Sequence, residues 1–276
     1  MNDNTGNFPY LHGFSQKEQD RLRDQARILE FLIYQDINFS NIKKLIEVGC
    51  GVGAQSEILL RRFPKLHLTG VDLNAKQLTS AETYLSARPE LHGRYDLLNM
   101  DASDLQFPSG EFDGAFLCWI LEHVPEPARI LGEVRRVLSS GSKVYITEVM
   151  NFSFFIDPYS PHLWKYWMAL NDYQYEKAGD PFIGAKLGNL LASAGFINIK
   201  TNIKTMHYDN RNPERRIEVI EYWTELLLSA SHQLILEKIV SKEIVDGMVK
   251  ELKLVRKDPN AVFFYSFMQA EAEVDR

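Results

Sequence analysis

The sequence is poor in cysteine, in basic excess and in long apolar runs. Cys50 and Cys118 are its only cysteines, too few to staple a chain of 276 residues, so a disulfide framework is excluded. Lys and Arg number 31 against 37 Asp and Glu, a formal net charge of −6. That balance argues against wrapping a nucleic-acid backbone, which needs a basic face. No apolar run approaches the roughly 18 residues that span a bilayer. The polar N-terminal stretch does not read as a secretory signal. CxxC and HExxH spacings are absent, so no metal is expected. What remains is ordinary globular composition, 45% hydrophobic and 25% charged. It fits a soluble protein of a reducing, cytoplasmic compartment with neither a nucleic-acid nor a membrane partner. Composition leaves the oligomeric state unknown.

No internal repeat or low-complexity tract interrupts the chain, and one domain over residues 1–276 is expected. Residues 1–40 read as an arm followed by a helix. Ser15 and Glu18 make a capping-box signature, and Leu22, Ala26, Leu29 and Ile33 recur at helical spacing, so a helix is predicted over 16–34. Residues 41–150 alternate strands and helices. Short apolar runs at 44–50, 66–72, 95–101, 112–119 and 143–149 suit buried strands. Helices are predicted at 54–63, from a cap at Asn74 to residue 88, and at 125–138. This alternation implies an α/β fold, a Rossmann-like doubly wound sheet that binds ligands beyond the carboxyl ends of its strands. Further strands at 197–208 and 261–270 complete the count. A helix at 184–196 closes on Gly195, and helices over 213–230 and 233–256 form a helical cap insertion. Residues 151–182 and 210–258 thus read as cap segments on the substrate side.

The most informative segment is Glu47-Val48-Gly49-Cys50-Gly51-Val52-Gly53. Its glycines permit a tight turn at a strand end and an unobstructed backbone approach. The amides of the following helix start attract negative charge. Gly49, Gly51 and Ala54 also satisfy the dinucleotide fingerprint, so the loop alone leaves a nicotinamide enzyme open. Glu47 lies two residues before the first glycine and is counted among the candidate cofactor contacts. Asp72 ends the second strand, where a carboxylate can accept hydrogen bonds from both hydroxyls of a ribose. Asp101 ends the third strand, where it can accept from an adenine amino group beside the small Ala102.

The ordered set EVGCGVG (47–53), GVDLN (70–74), NMDASDL (99–105), FDGAFLCWILEHV (112–124) and SGSKVYITEV (140–149) closely resembles the class I S-adenosylmethionine (SAM)-dependent methyltransferases. The resemblance covers roughly residues 40–150. It implies a seven-stranded sheet, mostly parallel, whose last strand runs antiparallel. It implies SAM as cofactor, with Gly49, Cys50 and Gly51 along its methionine part. Asp72 would bind the ribose, with Leu73 against the adenine; Asp101 and Ala102 would also bind adenine. Cys118 and Trp119 would flank the sulfonium. A non-catalytic SAM-binding protein of the same fold and a nicotinamide-dependent oxidoreductase are the alternatives.

Methyl transfer to a small acceptor needs positioning more than a covalent nucleophile, and a base only where the acceptor must lose a proton. His123, in LEHVPEP after the fourth strand, is the candidate base. Residues 152–182 hold ten aromatics, about a third of the segment against 12% of the chain. An aromatic wall suits a partly apolar or aromatic acceptor of small or medium size. Tyr159, His162, Trp167 and Tyr173 are its candidate contacts. Tyr10 and His12, in the N-terminal arm, are candidates for closing over the cofactor.

Overall fold

The computed structural model describes residues 13 and 15–275; Tyr10 and His12 lie outside them. The strands are β1 (Lys44–Val48), β2 (His67–Asp72), β3 (Tyr95–Asn99), β4 (Phe112–Cys118), β5 (Leu138–Val149), β6 (Phe155–Asp157), β7 (Ile197–Tyr208) and β8 (Val262–Glu273). Together they form one sheet in the order β3-β2-β1-β4-β5-β8-β6, with β7 also paired to β8. Strands β1 to β5 pair in parallel. Strand β8 is antiparallel to β5, β6 and β7. This is the mostly parallel, doubly wound sheet with an antiparallel last strand. The count differs from the expected seven by β6, which is only three residues long. It pairs with residues 262–264 of β8, where β5, paired with 267–273, has already left that edge.

Both faces of the sheet are buried, and its residues divide by parity as a pleat requires. Leu45, Phe116 and Tyr145 join one apolar core. Ile46, Ala115, Leu117, Val144 and Ile146 join the other. The first core is covered by α1 (Gln16–Ile33), α2 (Ala54–Arg62), α5 (Pro161–Glu176), α7 (Pro213–Leu236) and α8 (Lys242–Lys257). The second is covered by α4 (Pro127–Val137) and α6 (Leu187–Ser193). Helix α3 (Ala75–Ser86) lies between β2 and β3 in the chain.

Helix starts follow local chemistry. Ser15 Oγ accepts from the Glu18 amide, while the Glu18 carboxylate turns to Arg21. Asn74 caps α3 by accepting from the Lys76 and Gln77 amides. Proline opens α4, α5 and α7, where its missing N–H costs nothing. Gly195 ends α6 with φ +83°. Two helices depart from expectation. The aromatic segment contains α5, and α7 continues to Leu236 before a break at Lys238 (φ 59°) and a new cap at Ser241.

Candidate active site

Strands β1, β2 and β4 end at one cavity of about 630 Å³, and the residues that follow them shape its walls. After β1 the chain turns through Gly49 (φ 73°), Gly51 (φ 52°) and Gly53 (φ 74°). The Gly49 and Cys50 amides donate to the Val71 carbonyl at 2.8 and 3.1 Å, which pins the turn to β2. A Cβ on Gly49 would stand 2.6 Å from Ile120 Cδ1, so the turn demands glycine on two counts. Over Gly51 a Cβ would meet nothing within 4 Å. That free space is a cradle in which a ligand can lie against main chain.

Asp72 closes this cradle. Its Oδ2 accepts from the Gly51 amide at 2.9 Å and its Oδ1 from the Asn74 amide at 2.8 Å. Burial raises its pKa, and the two amides partly offset the rise. Leu73 projects beside it with 59% of its surface exposed, an apolar side chain spared from the core at the cavity wall. Asn99 Nδ2 donates to the Asp72 and Leu73 carbonyls and fixes this corner. Asp101 Oδ1 accepts from the Ser103 amide at 2.8 Å, and Asp101 and Ala102 border the same space.

Cys118 and Trp119 continue the wall after β4. Trp119 adopts a left-handed backbone, φ 55°, at the expense of local strain, and its amide donates to the Thr147 carbonyl at 2.9 Å. Burial first, then neighbouring carboxylates, push the Cys50 and Cys118 thiols well above their usual range. Neither is poised as a thiolate nucleophile. His123 follows and borders the cavity.

Four expected contacts fall elsewhere. Glu47 is 2% exposed and lies beneath the turn, outside the cavity wall. Its Oε2 accepts from the Ser56 hydroxyl at 2.5 Å, and burial lifts its pKa to about 8. Tyr159 precedes α5 and is 74% exposed. His162 is clamped by Glu251 of α8, its Nδ1 2.6 Å from Oε1. The Tyr173 hydroxyl donates to Glu237 at 2.7 Å. Of the aromatic candidates Trp167 alone borders the cavity. Trp167, Leu170 and Gln174 share one face of α5 at spacings of three and four, which turns Tyr173 away.

Sequence reasoning missed the rest of this wall. Arg21, Leu22 and Gln25 come from α1, Tyr222 and Trp223 from α7, and Tyr265 and Phe267 from β8. Only the third dimension brings them together. Glu122 was missed beside His123, although a carboxylate between Leu121 and His123 on an apolar strand exit is a legible signal. It is buried, and its Oε2 accepts from Gln174 Nε2 at 3.0 Å. Among the described residues no group of three or more His, Cys, Asp and Glu is placed to hold a metal, and no helix is long and apolar enough to cross a membrane.

Comparison with known proteins bears on this cavity. Residues 46–146 match the family model described as a methyltransferase domain. The chain is 31% identical over 108 residues to a ubiquinone biosynthesis O-methyltransferase of Aeromonas salmonicida, a match covering 39% of this chain and 43% of that protein. The first curated relatives are matched over only 29–47% of their own length. Among solved structures, phosphoethanolamine N-methyltransferase 2 of Haemonchus contortus, with S-adenosylhomocysteine, superposes with a TM-score of 0.60 at 16% identity. That match covers 98% of this chain and 60% of the other. The [4+2]-cyclase SpnF superposes with a TM-score of 0.55 at 21% identity, covering 92% and 82% of the two chains.

Proposed function

We propose that this chain, whose residues 46–146 form a methyltransferase domain of the class I SAM-dependent type, transfers a methyl group to a small acceptor with apolar or aromatic surface. The observation that carries the reading is the union of Gly51 and Asp72: a glycine with open space over its Cα whose amide holds a half-buried carboxylate at 2.9 Å, on the wall of one cavity. The family match favours SAM over the nicotinamide cofactor that the glycine spacing alone left open. Unpaired Cys50 and Cys118 accord with a cytoplasmic, reducing setting.

SAM, when bound, supplies a methyl carbon on a cationic sulfur that an acceptor lone pair displaces in line. The residues present fit it. Asp72 offers its carboxylate to the ribose hydroxyls, and Gly49 to Gly51 leave room for the methionine part. Leu73, Asp101 and Ala102 make an adenine slot with an apolar face and an acceptor at its edge. Cys118 and Trp119, on the wall after β4, flank the sulfonium, and with His123 they position the acceptor and exclude water. His123 is the side chain placed to take a proton from an acceptor that must lose one.

Titration with S-adenosylhomocysteine by calorimetry tests the reading. Wild-type protein binds it, and Asp72→Ala binds at least about tenfold more weakly, because a half-buried carboxylate no longer meets the ribose. No binding by the wild-type protein defeats the proposal; an unchanged Asp72→Ala affinity removes Asp72 from the site. Turnover of SAM with a metabolite pool, read by mass spectrometry, separates catalysis from binding alone.

A further inference from the structure

Beside the rings of α7 and β8 the cavity wall carries the Glu122 carboxyl and one guanidinium, that of Arg21. Glu122 borders it and is buried, and the nearest basic side chain is His123, whose Nε2 stands 3.6 Å from Glu122 Oε1. No lysine borders the cavity among the described residues, and its guanidinium, Arg21, is already matched. Arg21 Nε and Nη2 donate to the two oxygens of Glu18 at 2.8 and 2.6 Å, and Nη1 donates to Gln25 at 2.7 Å. Behind Glu122 stands Glu148, fully buried, its Oε1 accepting from the Ile120 and Leu121 amides. Burial first, then its neighbour Glu122, raise the Glu148 carboxyl well above the usual carboxylate range. The rings of Trp167, Tyr222, Trp223, Tyr265 and Phe267 line the same cavity, and those of Tyr222 and Tyr265 are near enough to feel the Glu122 carboxyl. The matched family region ends at residue 146, before α5, α7 and β8 supply these rings. The acceptor chemistry is therefore written in this chain's own wall.

We propose that the acceptor is an amine: a molecule with an apolar body whose protonatable nitrogen is held on Glu122 and against the surrounding rings. The inference rests on the methyl-transfer reading above. Aromatic faces and a buried carboxylate both attract a cation. The sign of the charge that develops decides between acceptors. An attacking phenol must shed a proton and build negative charge on oxygen, which Glu122 opposes and which finds no unmatched guanidinium. A neutral amine builds positive charge on nitrogen as it attacks, and Glu122 stabilises it. The bound ammonium first gives one proton to His123, which passes it on to solvent. Its freed lone pair forms the N–C bond to the methyl carbon, and the C–S electron pair stays on sulfur. The products are an N-methylammonium, S-adenosylhomocysteine and the one released proton.

The test uses full-length protein saturated with S-adenosylhomocysteine and three probes matched in ring and chain: phenethylamine, 2-phenylethanol and 3-phenylpropionate. Calorimetry at pH 7.5 is expected to show the amine binding at least about tenfold more tightly than the alcohol, and the carboxylate more weakly still. Glu122→Gln, checked by thermal unfolding to be folded, brings amine and alcohol within about threefold of each other. The wild-type series stands without the variant. Equal or tighter binding of the alcohol or the carboxylate overturns the inference, as does binding of none of the three. A preference for the amine that survives Glu122→Gln overturns the role of Glu122. Failure of S-adenosylhomocysteine itself to bind would instead bring down the cofactor reading beneath it.

Discussion

A carboxyl group sealed from water changes what pH does to a protein, and Glu47 is such a group. It is 2% exposed, it receives the Ser56 hydroxyl, and burial raises its pKa from 4.5 to about 8, with a smaller push from Asp72. The folded state therefore prefers Glu47 protonated. Its favourable contribution is complete below about pH 4.5, declines as pH rises, and is gone above about pH 8. Glu47→Gln keeps the shape and the hydrogen-bond acceptor and removes the titration. The ligand-free variant is expected to gain on the wild type by up to about 1.4 kcal/mol for each pH unit climbed in that window. Urea unfolding at pH 5 and at pH 8.5 measures the gap, and a gap that does not widen with pH refutes this account of Glu47. The same residue scale explains the loop. Gly49 has both a positive φ and a wall, Ile120, standing where its Cβ would go. Gly51 has a positive φ and open space.

At the scale of elements, α5 begins without a cap of its own: Ser160 makes no side-chain bond to the first turn. The missing acceptor comes from α8. Glu251 accepts from the His162 amide at 3.0 Å and the Leu163 amide at 2.9 Å, and also meets the His162 ring. Removing it strands two amides at a partly buried helix start. Glu251→Ala is expected to lower stability by about 1–3 kcal/mol. The affinity for S-adenosylhomocysteine is expected to stay within about twofold. A stability loss below about 0.5 kcal/mol in chemical denaturation would show that α5 needs no such partner. His162 was read from sequence as an acceptor contact, and its clamp shows why such readings slip. In the segment WKYWMALNDYQY the exposed side carries Met168 and Tyr175 beside Lys165 and Asp172, while the buried side carries Asn171 and Gln174, so hydrophobicity marked neither the period of α5 nor its inner face. Composition placed an aromatic wall near the site; only helical phase and the neighbours α7 and β8 decide that Trp167 borders the cavity and Tyr173 does not. Signals confined to a few consecutive residues were legible instead: the glycine turn, the Asn74 cap, proline at helix starts, and Gly195 at a helix end. Residues joined over a hundred or more positions, such as Arg21 with Tyr222 and Tyr265, carry no local trace.

At the scale of the whole molecule, α1 ties the cofactor-side strands to the acceptor-side helices. Toward the glycine loop, Arg23 donates to Ser80 at 2.6 Å, Glu30 pairs with Arg61 and Arg62, and Tyr34 donates to Gln55 at 2.8 Å. Toward the cap, Lys17 pairs with Glu225 at 2.8 Å, Arg215 donates to the Ile28 carbonyl, and Gln269 donates to the Ile33 carbonyl at 2.8 Å. The exposed pairs contribute little singly. The apolar face beneath them is what joins the two sides, since Ala26, Leu29 and Ile33 share one continuous core with Leu59, Trp167 and Trp223. Arg21, Leu22, Gln25 and Leu29 of the same helix border the cavity, so a ligand there leans on a strut common to both halves. Binding should then stabilise the molecule as one unit. At a hundredfold excess over its Kd, S-adenosylhomocysteine contributes about 2.7 kcal/mol. For a chain of this size that corresponds to a Tm rise of roughly 5–10 °C. Scanning calorimetry with and without the ligand is expected to show one transition that moves as a whole. Two transitions, of which only the lower or the upper responds, would mean that α1 does not couple the halves and that the acceptor wall folds independently of the cofactor site.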